Sequence, residues 1–340
     1  MVDLLPELPA GRILCTSAGL GQFAAAAVGR FPQSPVHCHY LDLYQTEQAR
    51  QANPDLPANL TISCAADFPP DEVELVALPL SAHGEAELAR DLLQAGHQSL
   101  RPGGQLLAGT DNRNDKWLQE EMKKLFGTVT RRQTELGTAY LARKQQPLKK
   151  IKYFSCQFAF RDRERLIYAA SRPGVFAHRR IDAGARQVLN HMEVQPGEKV
   201  LDIGCGSGVL TLAAAFRAGG VSVHAVDSNA RAVQCTARGA ELNGLASVST
   251  ELNVSGEYQG QGSYHLVLAN PPYYASFQIA RRFLLSGRES LAPGGRILLV
   301  TKSPQWYQEH MPEWFDAVAI EPSKDYYIVR GLRPMMTYRA

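Results

Sequence analysis

The residues best suited to chemistry are Asn270, Pro271, Pro272 and Tyr273, which directly follow the apolar run 264–269. Because proline has no backbone N–H to donate, this pattern predicts a buried parallel strand that ends where the motif begins. Open α/β sheets bind ligands at the carboxyl ends of their strands. An asparagine amide, free carbonyl groups and an aromatic ring at such an edge would suit a planar ligand that carries an NH2 group, such as a nucleobase.

A glycine-rich turn is the second candidate site, because Leu201–Gly208 has the spacing GxGxG between a predicted strand and a predicted helix. Dinucleotide sites instead use GxGxxG to hold a pyrophosphate. Asp202 precedes the glycines, where a carboxylate would repel a pyrophosphate and attract an amine. S-adenosylmethionine, which has an ammonium group and no phosphate, fits this pattern as the cofactor. Asp227, at the end of the next predicted strand, is placed to accept hydrogen bonds from a ribose.

Short apolar runs alternate with helical patterns along the chain, which predicts α/β architecture with doubly wound parallel sheets. Pro-Gly-Gly sequences predict turns at 101–104 and 293–295. The predicted strands are 12–16, 36–41, 60–64, 74–78, 105–108, 128–132, 139–143, 200–203, 221–226, 248–252, 264–269, 296–300, 317–321 and 326–330. The predicted helices are 21–28, 44–53, 84–100, 182–192, 209–218, 229–243, 279–291 and 306–315.

This pattern occurs twice, which predicts two tandem Rossmann-like domains. The parallel segments are Leu100–Leu107 with Leu291–Leu298, Ser17–Gly21 with Gly204–Gly208, and Asp42 with a place near that of Asp227. Where the second half has Asn270–Tyr273, the first half has Leu78–Ser81. We therefore predict that the N-terminal domain is a degenerate copy that keeps the scaffold and lacks the chemistry.

The domain boundaries are predicted from composition. The polar stretch Gln145–Lys150 is interrupted by a proline, as linkers often are, and 151–176 has no clear period. We predict a degenerate domain at 1–145 with an RNA-positioning or structural role, a linker and basic segment at 146–176, and a catalytic domain at 177–340.

Composition and cysteine usage favour an ordinary globular protein in the cytoplasm. Of 340 residues, 45% are hydrophobic and 20% are charged. No apolar stretch is long enough for a membrane span, and the first residues lack a signal-peptide pattern. The six cysteines include no CxxC pair, and strand alternation would separate the members of His37–His39. We therefore expect reduced thiols, no metal ion, no membrane partner and a monomer.

The net charge of +3 comes from the second half of the chain, where eight basic residues within 151–186 face three acidic ones. The segment is either a solvated face of alternating charge or a surface that meets phosphates. His178, Arg179 and Arg180 directly precede the helix that leads to the cofactor site. We expect phosphate contacts there, because RNA binding needs a cationic approach to its site.

From about Val175 to Arg330 the chain resembles class I S-adenosylmethionine-dependent methyltransferases. It is most similar to the bacterial ribosomal RNA guanine-N2 methyltransferases, which pair an inactive methyltransferase-like N-terminal domain with an active C-terminal one. Besides the two motifs above, the resemblance rests on Pro173–Phe176 followed by Asp182, on Asn253-Val254, and on the closing strand Asp325–Arg330.

The resemblance implies a role for each matching residue and ribosomal RNA, or a ribosomal particle, as the partner. The implied catalytic residues are Asn270, Pro271, Pro272 and Tyr273. The implied cofactor-binding residues are Phe176, Asp202, Gly204, Cys205, Gly206, Gly208, Asp227, Ser228, Asn253, Val254 and Asn270. The candidate RNA-binding residues have a different basis. His178, Arg179 and Arg180 are chosen for their charge before the cofactor-site helix, and Tyr274 is a second aromatic ring by which the chain departs from the family pattern.

Methyl transfer to an exocyclic amine needs positioning rather than a strong base, because conjugation with the ring makes the nitrogen lone pair a poor nucleophile. Hydrogen bonds from the NH2 group to the Asn270 side-chain oxygen and the Pro271 carbonyl would favour a pyramidal amine. The resemblance favours guanine N2 in ribosomal RNA. Adenine N6 in nucleic acid, glutamine N5 in a protein, and a non-catalytic RNA-binding assembly factor remain alternatives.

Overall fold

A computed structural model describes residue 1 and residues 11–272 and 277–333, and it divides the chain into two units, Met1–Phe154 and Ser155–Ala340. The predicted interval 146–176 spans this division. Its assignment as a linker, like the functional assignment of the domains on either side, stays a prediction. No helix in the described ranges is long and apolar enough to cross a membrane.

In unit 1 the described strands form one sheet of seven. They are β1 (Ile13–Thr16), β2 (Val36–Tyr40), β3 (Leu60–Cys64), β4 (Val73–Leu80), β5 (Leu100–Thr110), β6 (Thr130–Thr134) and β7 (Gly137–Arg143). The helices between them are α1 (Gln22–Arg30), α2 (Leu43–Ala52), α3 (Ala86–Ser99) and α4 (Trp117–Phe126). The strand order is β3-β2-β1-β4-β5-β7-β6, with β7 antiparallel to both of its neighbours.

In unit 2 the described strands form a second sheet of seven and a separate hairpin. The strands are β8 (Cys156–Asp162), β9 (Arg165–Ser171), β10 (Lys199–Ile203), β11 (Ser222–Asp227), β12 (Val248–Leu252), β13 (Tyr264–Ala269), β14 (Leu291–Thr301), β15 (Ala317–Ser323) and β16 (Tyr326–Leu332). The helices are α5 (Ala183–His191), α6 (Val209–Arg217), α7 (Ala230–Leu242), α8 (Gln278–Ser290) and α9 (Pro304–His310), followed by a 3-10 turn at Met311–Glu313. The sheet order is β12-β11-β10-β13-β14-β16-β15, which repeats the order in unit 1.

Both faces of each central strand are buried, which is why its sequence is a continuous apolar run. On β13, Leu266 and Leu268 pack into one hydrophobic cluster, while Val267 and Ala269 pack into the cluster on the opposite face. Helices must therefore cover both sides of the sheet. The prediction of two tandem Rossmann-like doubly wound domains is confirmed.

Two local predictions about secondary structure are wrong. The stretches predicted as turns at 101–104 and 293–295 lie inside the long strands β5 and β14. The irregular backbone is absorbed by a shift in the pairing register, which in unit 1 changes from Val73↔Leu100 to Leu75↔Gln105. Gly295 fits this irregularity because an added Cβ would lie 2.9 Å from two backbone oxygens. The stretch 151–176, to which no period was assigned, contains the hairpin β8–β9.

The hairpin is missed because its buried residues alternate with exposed charged and aromatic ones. Phe160 is buried in the core of unit 2 and Phe158 packs against it, so these rings contribute to folding. At the end of β8, Asp162 accepts two hydrogen bonds from the Arg217 guanidinium, at 2.6 and 2.7 Å. Arg217 also donates to the carbonyl groups of Met192 and Leu189. This ion pair therefore joins the hairpin to the ends of α5 and α6.

We expect Asp162→Ala to destabilise unit 2 by about 3–5 kcal/mol, because the side chains of Arg217 and Asp162 are only 5% and 7% exposed and the variant leaves the arginine charge buried without its partner. Urea unfolding followed by circular dichroism will measure this loss. Arg238→Ala, which breaks the exposed pair with Glu241, is the matched control and should leave the midpoint unchanged within error. Equal effects of the two substitutions would contradict the assignment.

Candidate functional site

Three strands of unit 2 end side by side at one edge of the sheet. Ile203 on β10 is the register partner of both Val226 on β11 and Ala269 on β13. The residues that follow these three are therefore neighbours at the carboxyl edge. The chain passes from β10 to β11 on one side and reaches β13 on the other, so this edge is the topological switch point where doubly wound sheets bind ligands.

The glycine turn is fixed to β11 by its backbone. The amides of Gly204 and Cys205 both donate to the Val226 carbonyl, at 2.8 and 3.0 Å. Gly206 and Gly208 have positive φ angles of 55° and 79°, which favour glycine. An added Cβ at Gly206 would meet nothing within 4 Å, so the backbone at this position faces open space that a ligand can enter.

Asp227 connects the glycine turn to helix α7. Its Oδ2 accepts from the Gly206 amide at 2.9 Å, and its Oδ1 accepts from the Asn229 amide at 2.8 Å. A carboxylate oxygen has a second lone pair, so each oxygen can also accept a ribose hydroxyl group. Ser228 is half-buried beside it. The predicted roles of both residues in ribose and cofactor binding stay predictions.

Asp202 lies inside the protein, with 1% of its surface exposed. Thr211 Oγ1 donates to its Oδ2 at 2.6 Å, and Oδ1 is buried with no hydrogen-bond partner among the described residues. Burial is the main cause that raises the pKa of this carboxyl group to about 7, and the nearby Asp227 charge is a smaller contribution in the same direction. Because the carboxyl group is shielded, it would act on a bound ammonium group through its charge rather than by contact.

Cys205 is also buried beneath the glycine turn. Burial is the main cause that raises the pKa of its thiol well above the usual value, with the charges of Asp227 and Asp202 adding to the effect. Thr236 Oγ1 donates to its sulfur at 3.3 Å. A neutral, shielded thiol is not a nucleophile, so only the backbone of Cys205 is available to a cofactor.

Asn253 shapes the loop that follows β12. Its side-chain oxygen accepts from the Ser255 amide at 2.7 Å, while its Nδ2 donates to Glu251 and to the Glu257 carbonyl. The carbonyl of Val254 accepts from Arg282 at 2.6 Å. The predicted contact of Asn253 and Val254 with an adenine ring stays a prediction, and the Asn253 amide already orders the loop that would carry this contact.

Asn270 follows the last residue of β13 and is half-buried. Its Nδ2 donates to Oδ2 of Asp182 at 2.9 Å. The same oxygen accepts from the Ala185 amide at 3.0 Å, which caps helix α5. Pro271 is buried and Pro272 is half-buried, whereas Tyr273 and Tyr274 lie outside the described residues. The site therefore brings Asn270 to a carboxylate that lies 88 positions earlier in the chain.

The contact between Asp182 and Asn270 could not be predicted from the sequence. The sequence indicates a helix cap at Asp182, and the family resemblance matches the segment before it to one that precedes the glycine turn in those enzymes. Neither signal connects Asp182 with Asn270. Aspartate is a common first residue before a helix. Only the folded structure shows that one carboxylate serves both the helix and the amide.

The segment before Asp182 is held against helix α7. Asn229 Nδ2 donates to the Gly174 carbonyl at 2.9 Å, and Arg231 donates to the Pro173 carbonyl at 2.8 Å. Within this segment Phe176 is 56% exposed, which leaves its ring available to a ligand. Its predicted contact with the cofactor stays a prediction.

The predicted RNA-binding residues differ in their exposure. His178 is half-buried, and its Nδ1 forms a hydrogen bond of 2.8 Å with Ser171 Oγ. Arg179 and Arg180 are exposed, and Arg179 has a φ of 72° that turns the chain sharply. The two arginines are thus accessible to phosphate groups, whereas His178 helps to hold the turn.

Unit 1 has different side chains at the positions that correspond to Asp202, Asp227 and Asn270. The correspondence follows from the glycines before α1 and α6 and from the strand registers. Cys15 takes the place of Asp202, Tyr40 that of Asp227 and Pro79 that of Asn270. The sequence pairing of 78–81 with 270–273 is therefore displaced by one residue. Asp42 was expected near the place of Asp227. It instead takes the place of Asn229 and caps α2 by accepting from the Gln45 amide.

Tyr40 also closes the corresponding turn of unit 1. Its hydroxyl group donates to the Gly19 carbonyl at 2.8 Å and lies 3.6 Å from an added Cβ at Gly21. A tyrosine ring thus occupies the position from which an aspartate serves the glycine turn of unit 2. At these three places, all of them within the described residues, unit 1 has neither the carboxylates nor the amide of the candidate site.

The residues of unit 2 fit S-adenosylmethionine. The backbone at Gly206 is open to a ligand, and Asp227 offers acceptors for hydroxyl groups. The buried, unpartnered Oδ1 of Asp202 favours a positive charge nearby. No side chain in this set would stabilise a pyrophosphate, so a cationic cofactor suits the site better than a dinucleotide.

Comparison with known proteins agrees with this geometry. The family model described as Methyltransferase small domain matches residues 167–330. The ribosomal RNA small subunit methyltransferase C of Chromohalobacter salexigens is 36% identical over 159 residues, which cover 42% of this chain and 46% of that relative. The protein of the same name from Shewanella pealeana is 25% identical over 283 residues, covering 81% and 82% of the two chains.

A solved structure has the same fold over nearly the whole chain. It is described as the T. thermophilus 16S rRNA N2 G1207 methyltransferase (RsmC) in complex with AdoMet and guanosine, with a TM-score of 0.80 and 21% identity. The match covers 98% of this chain and 90% of that one. In contrast, the Chromohalobacter alignment spans less than half of that relative. Residues 167–330 therefore match the methyltransferase small domain, and the chain resembles class I S-adenosylmethionine-dependent methyltransferases of the RsmC kind.

Proposed function

We propose that this chain transfers a methyl group from S-adenosylmethionine to the exocyclic N2 amine of a guanine in ribosomal RNA. The observation that carries the proposal is the shared register partner of β11 and β13, which brings Asp227, the glycine turn and Asn270 to one edge of the sheet. The relatives named above support ribosomal RNA as the substrate, and the neighbouring structure with guanosine supports guanine N2.

The residues of the chain have distinct tasks in this reaction. When bound, S-adenosylmethionine supplies an electrophilic methyl group, which the amine nitrogen takes while the electron pair of the broken C–S bond stays with sulfur. Asn270 Oδ1 and the Pro271 carbonyl accept the two N–H groups of the amine and hold its lone pair toward the methyl group. The amine then loses one proton to solvent. Positioning and electrostatics are the sources of catalysis here.

The target base must leave its stack or be single-stranded before it can reach this edge. Tyr273, which lies outside the described residues, stays the candidate for stacking on the base. The exposed Arg179 and Arg180 are the candidates for contacts with the flanking phosphates.

For unit 1 we propose the role of holding RNA. A cleft of about 520 Å³ within this unit is bordered by α3, α4 and the segment 145–154. Glu121 is the one carboxylate among its described lining residues, and it is paired with Arg90 and Lys124. The cations that line the cleft are Arg90, Lys123, Lys124, Lys149, Lys150 and Lys152. Residues 1–150 as a whole contain 15 Lys and Arg against 17 Asp and Glu, so the positive charge is local to the cleft. It favours contact with a phosphate backbone.

The proposed reaction is tested by transfer of a tritiated methyl group to ribosomal RNA from a strain that lacks this gene, followed by nucleoside analysis. We expect N2-methylguanosine, and a rate at least about 100-fold lower for Asn270→Ala, because the amine loses its acceptor. Asn53→Ala, which removes a half-buried amide that donates to the Ala49 and Leu20 carbonyls of unit 1, is the control and should keep the wild-type rate. N6-methyladenosine, label in protein, or no transfer would each reject the guanine assignment in favour of one alternative.

The pH dependence of cofactor binding tests the role of Asp202. Since burial raises its pKa to about 7, the carboxyl group is mostly neutral below that pH and ionised above it. The ionised form favours a cation, so the affinity for S-adenosylmethionine should rise from about pH 6 to pH 8. We expect Asp202→Asn to bind about 10-fold more weakly at pH 8 and to lose most of this rise. The asparagine keeps an acceptor for Thr211.

Calorimetry on the full chain at several pH values measures this effect. Asp115→Asn, which neutralises another buried carboxyl group, controls for general effects of pH on the fold and should show the wild-type dependence. An identical pH profile in wild type and Asp202→Asn would show that Asp202 does not sense the cofactor charge.

The cleft in unit 1 is tested with Lys149→Ala/Lys150→Ala. We expect RNA affinity to fall about 10-fold. The slope of log affinity against log salt should become shallower by about 1–2, because binding with fewer phosphate contacts releases fewer counterions. Affinity for S-adenosylmethionine should not change. Lys116→Ala/Arg132→Ala, which removes two exposed charges of unit 1 outside the lining, is the control. Equal losses in the two double variants would contradict a specific role for the cleft.

A further inference from the structure

The orientation of the Asn270 amide is fixed by a charged neighbour. A carboxylate has no hydrogen to donate, so the Asn270 atom that lies 2.9 Å from Asp182 Oδ2 must be the NH2 group. The amide is planar, and its oxygen therefore points away from Asp182. A rotation of 180° about the Cβ–Cγ bond of Asn270 would place its amide oxygen against Asp182 Oδ2, and the repulsion between the two oxygens disfavours this orientation.

This orientation decides whether the amide can accept or donate at the reacting nitrogen. An exocyclic amine presents N–H groups and needs an acceptor, which is the Asn270 oxygen. The flipped amide would present its own NH2 group to that amine, and no hydrogen bond could form. The two orientations have nearly the same shape, so packing alone does not separate them.

We propose that Asp182 is a positioning residue that holds the Asn270 amide oxygen toward the target amine, a role that rests on the proposed function. Asp182 does not touch the substrate in this scheme. Its negative charge also polarises the amide, because hydrogen bonds in series strengthen one another. The same oxygen accepts from the Ala185 amide, so the start of α5 fixes the carboxylate in place.

The position of Asp182 is also constrained by contacts that begin at the predicted cofactor-binding residue Asp227. The segment that leads to it is tied to α7 through the bond from Asn229 to the Gly174 carbonyl. Asn229 in turn donates its amide to Asp227. Asp182 thus ends a segment that begins beside the predicted ribose-binding carboxylate, and it links that side of the site to the amide that meets the amine.

Asp182→Ser separates the two tasks of this carboxylate. Serine also caps helices well, so the Ala185 amide keeps an acceptor, but its side chain is too short to reach Asn270. We expect kcat for RNA methylation to fall about 10- to 100-fold, while the affinity for S-adenosylmethionine and the unfolding midpoint stay close to those of wild type. Asp182→Asn, whose side-chain oxygen can accept both bonds, should recover most of the rate.

Asp42→Ser is the matched control, because Asp42 caps α2 in unit 1 with the same chemistry. It should leave kcat unchanged. The decisive measurement is a double-mutant cycle with Asn270→Ala, in which Asp182→Ser should lower the residual rate by less than about 2-fold, since there is no amide left to orient. A structural role would instead give additive losses in this cycle.

The outcomes separate this inference from the proposed function. Wild-type activity on guanine together with an unchanged kcat in Asp182→Ser, or additive losses in the cycle, would overturn the role of Asp182 alone. If the labelled product of wild type were a different methylated amine, the guanine assignment would fail, and the dependence on Asp182 would be measured on that product. Wild-type protein that transferred no methyl group would overturn both.

Discussion

The hydrogen bond between the Gly206 amide and the Asp227 carboxylate is the interaction on which the site depends. It fixes a glycine turn with positive φ angles against the neighbouring strand, at 2.9 Å. The same carboxylate also accepts from Asn229, where α7 begins. The bond gives the half-buried Gly206 N–H an acceptor, so the turn and the acid stabilise each other. The edge of the sheet thereby becomes a defined surface rather than a flexible loop.

Unit 1 shows that the scaffold does not require this chemistry. Its sheet has the same strand order, yet a tyrosine hydroxyl group bonds to the turn where unit 2 uses a carboxylate. Tyr40, Cys15 and Pro79 are all compatible with the strands on which they lie, because apolar burial on both faces determines the sheet. The same fold therefore forms with and without the few polar atoms of the candidate site. The assignment of unit 1 as a degenerate copy stays a prediction, and this difference between the units agrees with it.

Most of the fold could be predicted from sequence, because a central strand with two buried faces is a continuous apolar run, as 264–269 is. The hairpin β8–β9 could not, since in β8 buried or half-buried residues such as Phe160 alternate with exposed ones and give no continuous apolar run. The predicted turn at 101–104 is wrong for a related reason. A Pro-Gly-Gly sequence signals an irregular backbone, but it does not show that the strand continues on both sides of the register jump.

The candidate site also has features that the sequence predicts and features that it does not. Residue types and spacing indicated Asp227 and Asn270 as candidates, because each follows an apolar run at the end of a predicted strand. They could not give the direction of the Asn270 amide, because both orientations have the same shape and differ only in where hydrogen atoms lie. That direction depends on Asp182, which is far away in sequence and has an ordinary helix-capping role of its own. The polarity of the site is thus a tertiary property, set by one carboxylate oxygen that two donors share.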